Sequence, residues 1–182
     1  TSILKMLESE NSFTKIVDDI LKDACEYLGI STGALLRENQ EQKTVDMICE
    51  YAGGGREPQM EKEQGVPKEE LPFFNGKPYM ISSDSMMPEG FARLFAQKKL
   101  TAAVFLPVEV NGHAGMYLCF CESEKKKKWE NADVKFINDV KRIIQTILTK
   151  RITKNSLASS YASLEAILEN VGCAIYVRDP QT

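Results

Sequence analysis

The sequence is poor in the residues on which catalytic and metal sites most often depend. Its 182 residues include a single histidine, His113, and only five cysteines. The cysteines, an odd number in apolar surroundings, are Cys25, Cys49, Cys119, Cys121 and Cys173. This usage is typical of reduced thiols rather than of a disulfide framework. No second cysteine pair or histidine lies at ligand spacing from Cys119 and Cys121, and His113 follows a turn that suits a catalytic base poorly. We therefore expect no metal site and no catalytic residues.

The chain also lacks long apolar runs and an excess of either charge. No run approaches the roughly 18–20 apolar residues that span a bilayer, and residues 1–11 are too mixed and charged for a signal peptide. Lys and Arg number 23 against 26 Asp and Glu, whereas a general nucleic-acid binder shows a basic excess. The lysine run at 125–128 has acidic neighbours, which favours a solvated loop. We expect a cytoplasmic protein that contacts neither nucleic acid nor membrane.

Two segments ahead of the C-terminal region have helical features. Apolar residues recur every three or four positions over residues 12–28, with charged residues between them. This pattern predicts an amphipathic helix with one buried face, and Gly29 can end it in a left-handed turn. A short second helix is expected from Pro88 to Lys98, because proline is favoured in a first helical turn.

Five segments are predicted to be strands. They are residues 33–37, Thr44–Ala52, 77–82, 101–110 and 113–121. Asn111-Gly112, between the last two, is a strong signal for a two-residue hairpin. Alternation within the second strand predicts that one face carries Val45, Met47, Cys49 and Tyr51. The connection over residues 53–76 is long for a compact domain, which favours a functional or mobile loop.

The pattern becomes helical again at Asn131–Val171 and carries a heptad repeat of apolar residues. The predicted dimer seam consists of Val140, Ile143, Ile147, Leu157, Tyr161, Leu164 and Leu168. Two lysines, Lys150 and Lys154, interrupt it. Because a helix this long without a closing Gly or Pro is usually a coiled coil, we expect a homodimer that pairs through the N- and C-terminal helices.

The order of these elements and two stretches of sequence resemble a GAF domain. Residues 101–112 (TAAVFLPVEVNG) are similar to the family's strand that ends in proline and a hydrophobic residue before a turn. Residues 129–137 (WENADVKFI) resemble the aromatic-led start of its final helix, and residues 163–179 (SLEAILENVGCAIYVRD) resemble the linker helix and first strand of a PAS domain. The resemblance divides the chain into the end of a preceding linker helix (1–9), a GAF-like domain (10–150), a signalling linker helix (151–171) and the truncated start of a PAS-like domain (172–182).

The resemblance implies an α+β fold. In a GAF domain an antiparallel sheet carries the N- and C-terminal helices on one face, and a ligand pocket, where there is one, lies on the other. Here the long coiled-coil-type helix would follow. The pocket candidates, from the long loop, the short helix and the last strand, are Phe73, Phe74, Phe91, Phe95, Tyr117, Cys119 and Cys121. Because apolar lining does not distinguish a pocket from ordinary core, both interpretations stay open for these residues.

The same resemblance implies a function. GAF followed by a helical linker and PAS is common in bacterial sensor histidine kinases and diguanylate cyclases, so we expect a non-enzymatic sensory module with an output domain downstream. The chain lacks the Cys-His pair of bilin-binding GAF domains and has only a fragment of the cyclic-nucleotide signature, so a small-molecule ligand or cofactor stays unidentified. Two alternatives remain: a dimerisation spacer without ligand, and a thiol-dependent enzyme that uses Cys119 or Cys121.

Overall fold

The computed structural model describes residues 10–110 and 112–171. In chain order the elements are α1 Glu10–Leu28, β1 Thr32–Asn39, β2 Thr44–Ala52, β3 Val66–Pro67, a 3-10 turn Lys68–Glu70, β4 Tyr79–Ser82, α2 Glu89–Lys98, β5 Ala102–Val110, β6 His113–Glu122 and α3 Asn131–Val171. The preceding helix predicted for 1–9 and the PAS-like start predicted for 172–182 lie outside the described residues.

The strands form one antiparallel sheet, an α+β arrangement that agrees with the expected fold class. The strand order is β3-β2-β1-β6-β5-β4, so β1 and β6 join two hairpins at the centre. β2 has the predicted bounds, whereas β1 is longer than predicted and the two-residue β3 was not predicted. Val110 pairs with His113 across the last hairpin, and Gly112 in its turn has a φ of +78°. A two-residue turn of this kind needs positive φ, which explains why the Asn-Gly signal was reliable.

α1 forms where the apolar periodicity predicts a helix. Its buried face includes Val17, Leu21 and Cys25, and the chain leaves the helix through Gly29 with a φ of +66°. The helix approaches the sheet closely at Gly33, where an added Cβ would lie 3.1 Å from the sulfur of Cys25. A glycine on the central strand therefore allows this close packing.

Each face of the sheet has its own core. On one face the side chains of Leu35, Val104 and Leu118 pack with those of α1 and α3. The neighbouring positions on the same three strands, which point the other way, pack with α2 and the long loop. The two terminal helices thus share one face, and the opposite face is free for a site.

A β-bulge interrupts β2 and corrects the predicted alternation. Leu35 pairs with Cys49 but Leu36 pairs with Met47, which leaves Ile48 as the extra residue. Val45 and Met47 therefore belong to the core under α2, as predicted for one face, whereas Cys49 and Tyr51 belong to the core under α1 and α3. The prediction that all four share a face was wrong, because alternation shifts by one residue at a bulge.

α3 packs on the sheet through a stripe that differs from the predicted seam. The buried residues of this stripe are Ile137, Val140, Ile144 and Leu148. Val140 therefore lies in the core of the domain and is not available to a seam, whereas Ile143 is 51% exposed and Ile147 is half-buried. Further along, Tyr161 and Leu164 are exposed. For Leu157 and Leu168 the structure describes the helical backbone but not the side chains.

Candidate functional site

A cavity of about 520 Å³ lies over the free face of the sheet. Its floor is the central part of the sheet, and its roof is formed by the loop after β2 together with α2. The volume is within the range of small-molecule sites in proteins, about 300–1,000 Å³. The cavity therefore has room for a compact organic molecule.

The floor and roof of the cavity are largely apolar. Ala34 and Leu36 of β1, Met47 of β2 and Phe105 of β5 line the floor, and Leu94 of α2 lines the roof. These side chains have no strong hydrogen-bonding groups, so they would bind the apolar body of a ligand by burial. The polar lining is concentrated on the loop and at the end of α2.

The loop that forms the roof is hydrogen-bonded to the side chain of Glu50, which the bulge in β2 directs toward the cavity. The carboxylate oxygens of Glu50 accept backbone N–H bonds from Gln59 at 2.8 Å and Met60 at 3.0 Å. Asp46 accepts another from Gly65 at 2.6 Å. The side chain of Gln64 donates to the backbone carbonyl of Met47 at 2.8 Å. Strand β2 thus holds the roof through these hydrogen bonds in addition to the apolar packing of Val45 and Met47.

Two ion pairs lie at the polar edge of the cavity. Lys98, at the end of α2, pairs with Glu63 of the loop, so the two parts of the roof are tied to each other. Arg56 pairs with Glu124 at 3.0 Å through one terminal nitrogen of its guanidinium. Its Nε is buried and has no hydrogen-bond partner among the described residues. Arg56, which lines the cavity, therefore carries a hydrogen-bond donor that has no acceptor among these residues.

Three of the seven predicted pocket residues line the cavity, namely Phe73, Cys119 and Cys121. The other four, which do not line it, are Phe74, Phe91, Phe95 and Tyr117. These four are buried in the core between the sheet, the loop and α2, where Phe74 packs against Tyr117 with ring centroids 4.6 Å apart. The Tyr117 hydroxyl donates a hydrogen bond to the backbone carbonyl of Lys77 at 3.1 Å, so its proton is already used in a contact with the loop.

Sequence reasoning missed the polar residues of the cavity. Glu50 and Arg56 were not candidates, because the strand pattern hides the bulge and because a loop sequence does not indicate where a side chain points. A single arginine four residues after the end of a strand carries no recognisable signal. Their roles come from the tertiary packing of the loop on the sheet.

The thiols near the cavity are poorly suited to nucleophilic chemistry. Burial raises the pKa of Cys121 to about 12 despite the nearby Lys98, and it raises the pKa of Cys119 well above that of an ordinary thiol. Burial also raises the pKa values of Cys25 and Cys49 to about 12. With these raised pKa values the four cysteines are protonated near neutral pH. Because the thiolate is the reactive form, they are poor nucleophiles.

The features of a metal site and of a membrane-spanning helix are both missing from residues 10–110 and 112–171. Within them no three His, Cys, Asp or Glu side chains are grouped so that they could hold a metal ion. None of the described helices combines the length and the apolar composition needed to cross a membrane. His113 is exposed at the start of β6.

Comparisons with known proteins identify the fold. No protein-family model and no curated protein matches the sequence. Among solved structures, a phycoerythrobilin-bound GAF domain from a cyanobacterial phytochrome has a TM-score of 0.67 at 7% identity, covering 84% of this chain and 95% of that one. The blue-light-absorbing form of the Thermosynechococcus elongatus PixJ GAF domain has a TM-score of 0.61 at 12% identity, covering 89% and 96%.

A third similar structure comes from a signalling protein. It is a domain of a Sinorhizobium meliloti 1021 protein described as a two-component sensor histidine kinase. Its TM-score is 0.59 at 10% identity, and the match covers 78% of this chain and 94% of that domain. At these identities the comparisons establish the fold alone: the described residues adopt the GAF fold, as the sequence resemblance implied.

Proposed function

We propose that this protein is a non-enzymatic sensory module that binds a small ligand in the cavity and transmits the change to a downstream output domain. The observation that carries the proposal is the division of the sheet, with a cavity on one face and both terminal helices on the other. The solved structures with the same fold include a blue-light-absorbing GAF domain and a domain of a protein described as a two-component sensor histidine kinase. A cytoplasmic location is part of the proposal.

The central strands connect the two faces. Leu36 and Cys119 face the cavity side, while the adjacent Leu35 and Leu118 are completely buried under the terminal helices. A ligand that displaces β1 or β6 would shift both sets of side chains, since they belong to the same backbone. Because cores are densely packed, such a shift is expected to change the packing of α1 and α3 between two arrangements.

The outer surface of the terminal helices supports the proposed homodimer. Ile16 and Tyr27 of α1 are 46% and 70% exposed, and Ile143 of α3 is 51% exposed. The Tyr27 ring stacks on the half-buried Phe136 with centroids 4.2 Å apart, which links the apolar surfaces of the two helices. A second copy would cover these side chains and gain the free energy of apolar burial. Tyr161 and Leu164 would continue the contact along α3 as a coiled coil.

The output domain is proposed to be a histidine kinase or a diguanylate cyclase, reached through α3 and the PAS-like segment. Lys150 and Lys154 interrupt the apolar repeat and would weaken the coiled coil locally. A weakened segment suits a joint that changes register when the ligand binds. Replacing both lysines with leucine should therefore increase dimer affinity, which analytical ultracentrifugation measures, and an unchanged affinity would contradict this role.

Two alternative functions are less well supported. A spacer without ligand needs no cavity. This domain has one, and the loop and α2 that cover it are held in place by several polar contacts. A thiol-dependent enzyme needs an accessible thiolate, but Cys119 is buried and the pKa values of Cys119 and Cys121 are raised. Both features favour the sensory module.

Native mass spectrometry of the purified chain tests the ligand and the dimer together. We expect a dimer, with an additional mass that is absent from the denatured protein and from the cavity-filled variant Ala34→Phe. Ile143→Asn should weaken the dimer, whereas Lys135→Asn, an exposed control on the same helix, should not. A bare dimer that ligand screening leaves unchanged would favour the spacer, and a monomer would contradict the proposed interface.

A further inference from the structure

The acidic side chains that line the cavity already have partners. Glu50 accepts the loop N–H groups of Gln59 and Met60. Glu63 is paired with Lys98, and Glu57 is paired with Lys62 at 3.2 Å. A cationic group on a ligand would therefore have to compete with these existing partners for the carboxylates.

Arg56 is in the opposite situation. Its Nε–H is buried and has no acceptor among the residues that the structure describes, a costly arrangement that a turn of the guanidinium toward a ligand oxygen would relieve. A terminal nitrogen of the same guanidinium pairs with Glu124, whose side chain is 62% exposed. Water weakens such an exposed pair, so the guanidinium can turn toward an anion in the cavity at little cost. Arginine is also the side chain best suited to bind a carboxylate or phosphate through two parallel hydrogen bonds.

The rest of the cavity has the opposite character. Leu36, Met47, Phe105 and Leu94 present apolar side chains to the same space. Phe73 lines it as well and stacks flat on Phe105, with centroids 3.9 Å apart. This part of the cavity would bury an apolar body several carbon atoms long or one or two rings wide, while Arg56 lies at the polar edge.

We propose that the ligand is an amphipathic organic anion, with an apolar body against the sheet and one carboxylate, sulfonate or phosphate group that accepts hydrogen bonds from Arg56. This inference rests on the proposed function, since it needs the cavity to be the ligand site. It adds the chemical class of the ligand and the residue that selects it. Binding would also break the ion pair between Arg56 and Glu124. The segment that follows β6, to which Glu124 belongs, would then lose this contact when the cavity is occupied.

Two fluorescent probes with the same aromatic body test the inference. Anilinonaphthalene sulfonate carries an anionic group, and phenylnaphthylamine is its neutral counterpart without that group. Titrations use the wild type, Arg56→Gln, the matched control Arg37→Gln at an exposed position of β1 outside the cavity, and the cavity-filled Ala34→Phe. Circular dichroism verifies that each variant is folded. Methyl spectra of Met47, which lines the cavity, report the location of the bound probe in the wild type independently of any variant.

The outcomes separate this inference from the proposed function. We expect the sulfonate to bind the wild type about tenfold more tightly than the neutral probe, and we expect only Arg56→Gln to remove that difference. Equal affinities, or a difference that survives in Arg56→Gln, would overturn the anion selectivity while Ala34→Phe still abolished binding of both probes. Binding that is insensitive to Ala34→Phe and leaves the Met47 methyl signal unchanged, or no binding of either probe, would contradict the cavity as a ligand site.

Discussion

The buried carboxylate of Glu122 should make a large, pH-dependent contribution to stability. Its side chain is 2% exposed, and one oxygen accepts hydrogen bonds from the Ser31 hydroxyl at 2.7 Å and from the backbone N–H groups of Ser123, Glu124 and Lys125 at 3.0, 2.8 and 3.3 Å. Burial alone would raise the pKa of this group, but the hydrogen bonds outweigh burial and lower it. The carboxylate thus anchors the end of β6 to the start of β1 and to the following loop.

The magnitude follows from the two shortest bonds. A hydrogen bond to a charged group contributes about 1.5–3 kcal/mol and one between neutral groups about 0.5–1.5 kcal/mol, so removing the charge should cost about 1 kcal/mol for each of the two. Glu122→Gln, which keeps the shape, should therefore lower the free energy of unfolding by about 2 kcal/mol at neutral pH. Urea denaturation followed by circular dichroism measures this difference.

The pH dependence gives the sharper test. Because the folded pKa of Glu122 is lowered, its contribution is complete above the unfolded pKa of about 4.3 and is lost as the pH falls through the folded value. The difference between wild type and Glu122→Gln should therefore narrow as the pH is lowered from 7 toward about 3. Glu109→Gln, the same change at an exposed position of β5, should have almost no effect. A Glu122→Gln loss below about 0.5 kcal/mol, or one that does not change with pH, would refute the reasoning.

Three further predictions concern packing and thiol access. Gly33→Ala, whose new methyl group would contact Cys25 at 3.1 Å, should lose about 1–3 kcal/mol of stability, while Gly115→Ala, with no atom within 4 Å, should stay within about 0.5 kcal/mol; similar losses would contradict the close helix approach. Ile144→Ala should cost about 2–5 kcal/mol because Ile144 is fully buried, whereas Ile143→Ala should leave monomer stability almost unchanged and weaken the proposed dimer; the reverse order would contradict the assigned faces of α3. The buried, protonated thiols should react with a small disulfide reagent far more slowly in the native protein than in urea, and rapid native labelling of Cys119 would reopen the case for thiol chemistry.

Local sequence predicted the elements whose signals are local. The helix α1 and its end at Gly29, the bounds of β2, the hairpin at Gly112 and the start of α3 at Asn131 all agree with the structure. In each case the signal lies within a few residues: amphipathic periodicity, a glycine where positive φ is needed, or a two-residue turn. The GAF fold followed from the order of these elements and from two motifs, and the structural comparisons agree with it.

The candidate site was predictable only in part. Phe73, Cys119 and Cys121 line the cavity, but Phe74, Phe91, Phe95 and Tyr117 are buried in the core on the same face of the sheet. Aromatic residues suit both environments equally well, so composition does not separate the two. The polar lining was not predictable, because it depends on how the loop folds over the sheet.

Which face each residue occupies was therefore decided by the tertiary structure. The bulge at Ile48 turns Glu50 toward the cavity, and the packing of α3 on the sheet buries Val140 and Ile144 while it leaves Ile143 exposed. A strand pattern does not reveal a one-residue register shift, and a helix with apolar residues on several sides has no unique buried stripe. The local sequence determined where the helices and strands form, because turn and periodicity signals act over a few residues. Which face each residue occupies depended on the long-range strand pairing and packing that bring distant segments together.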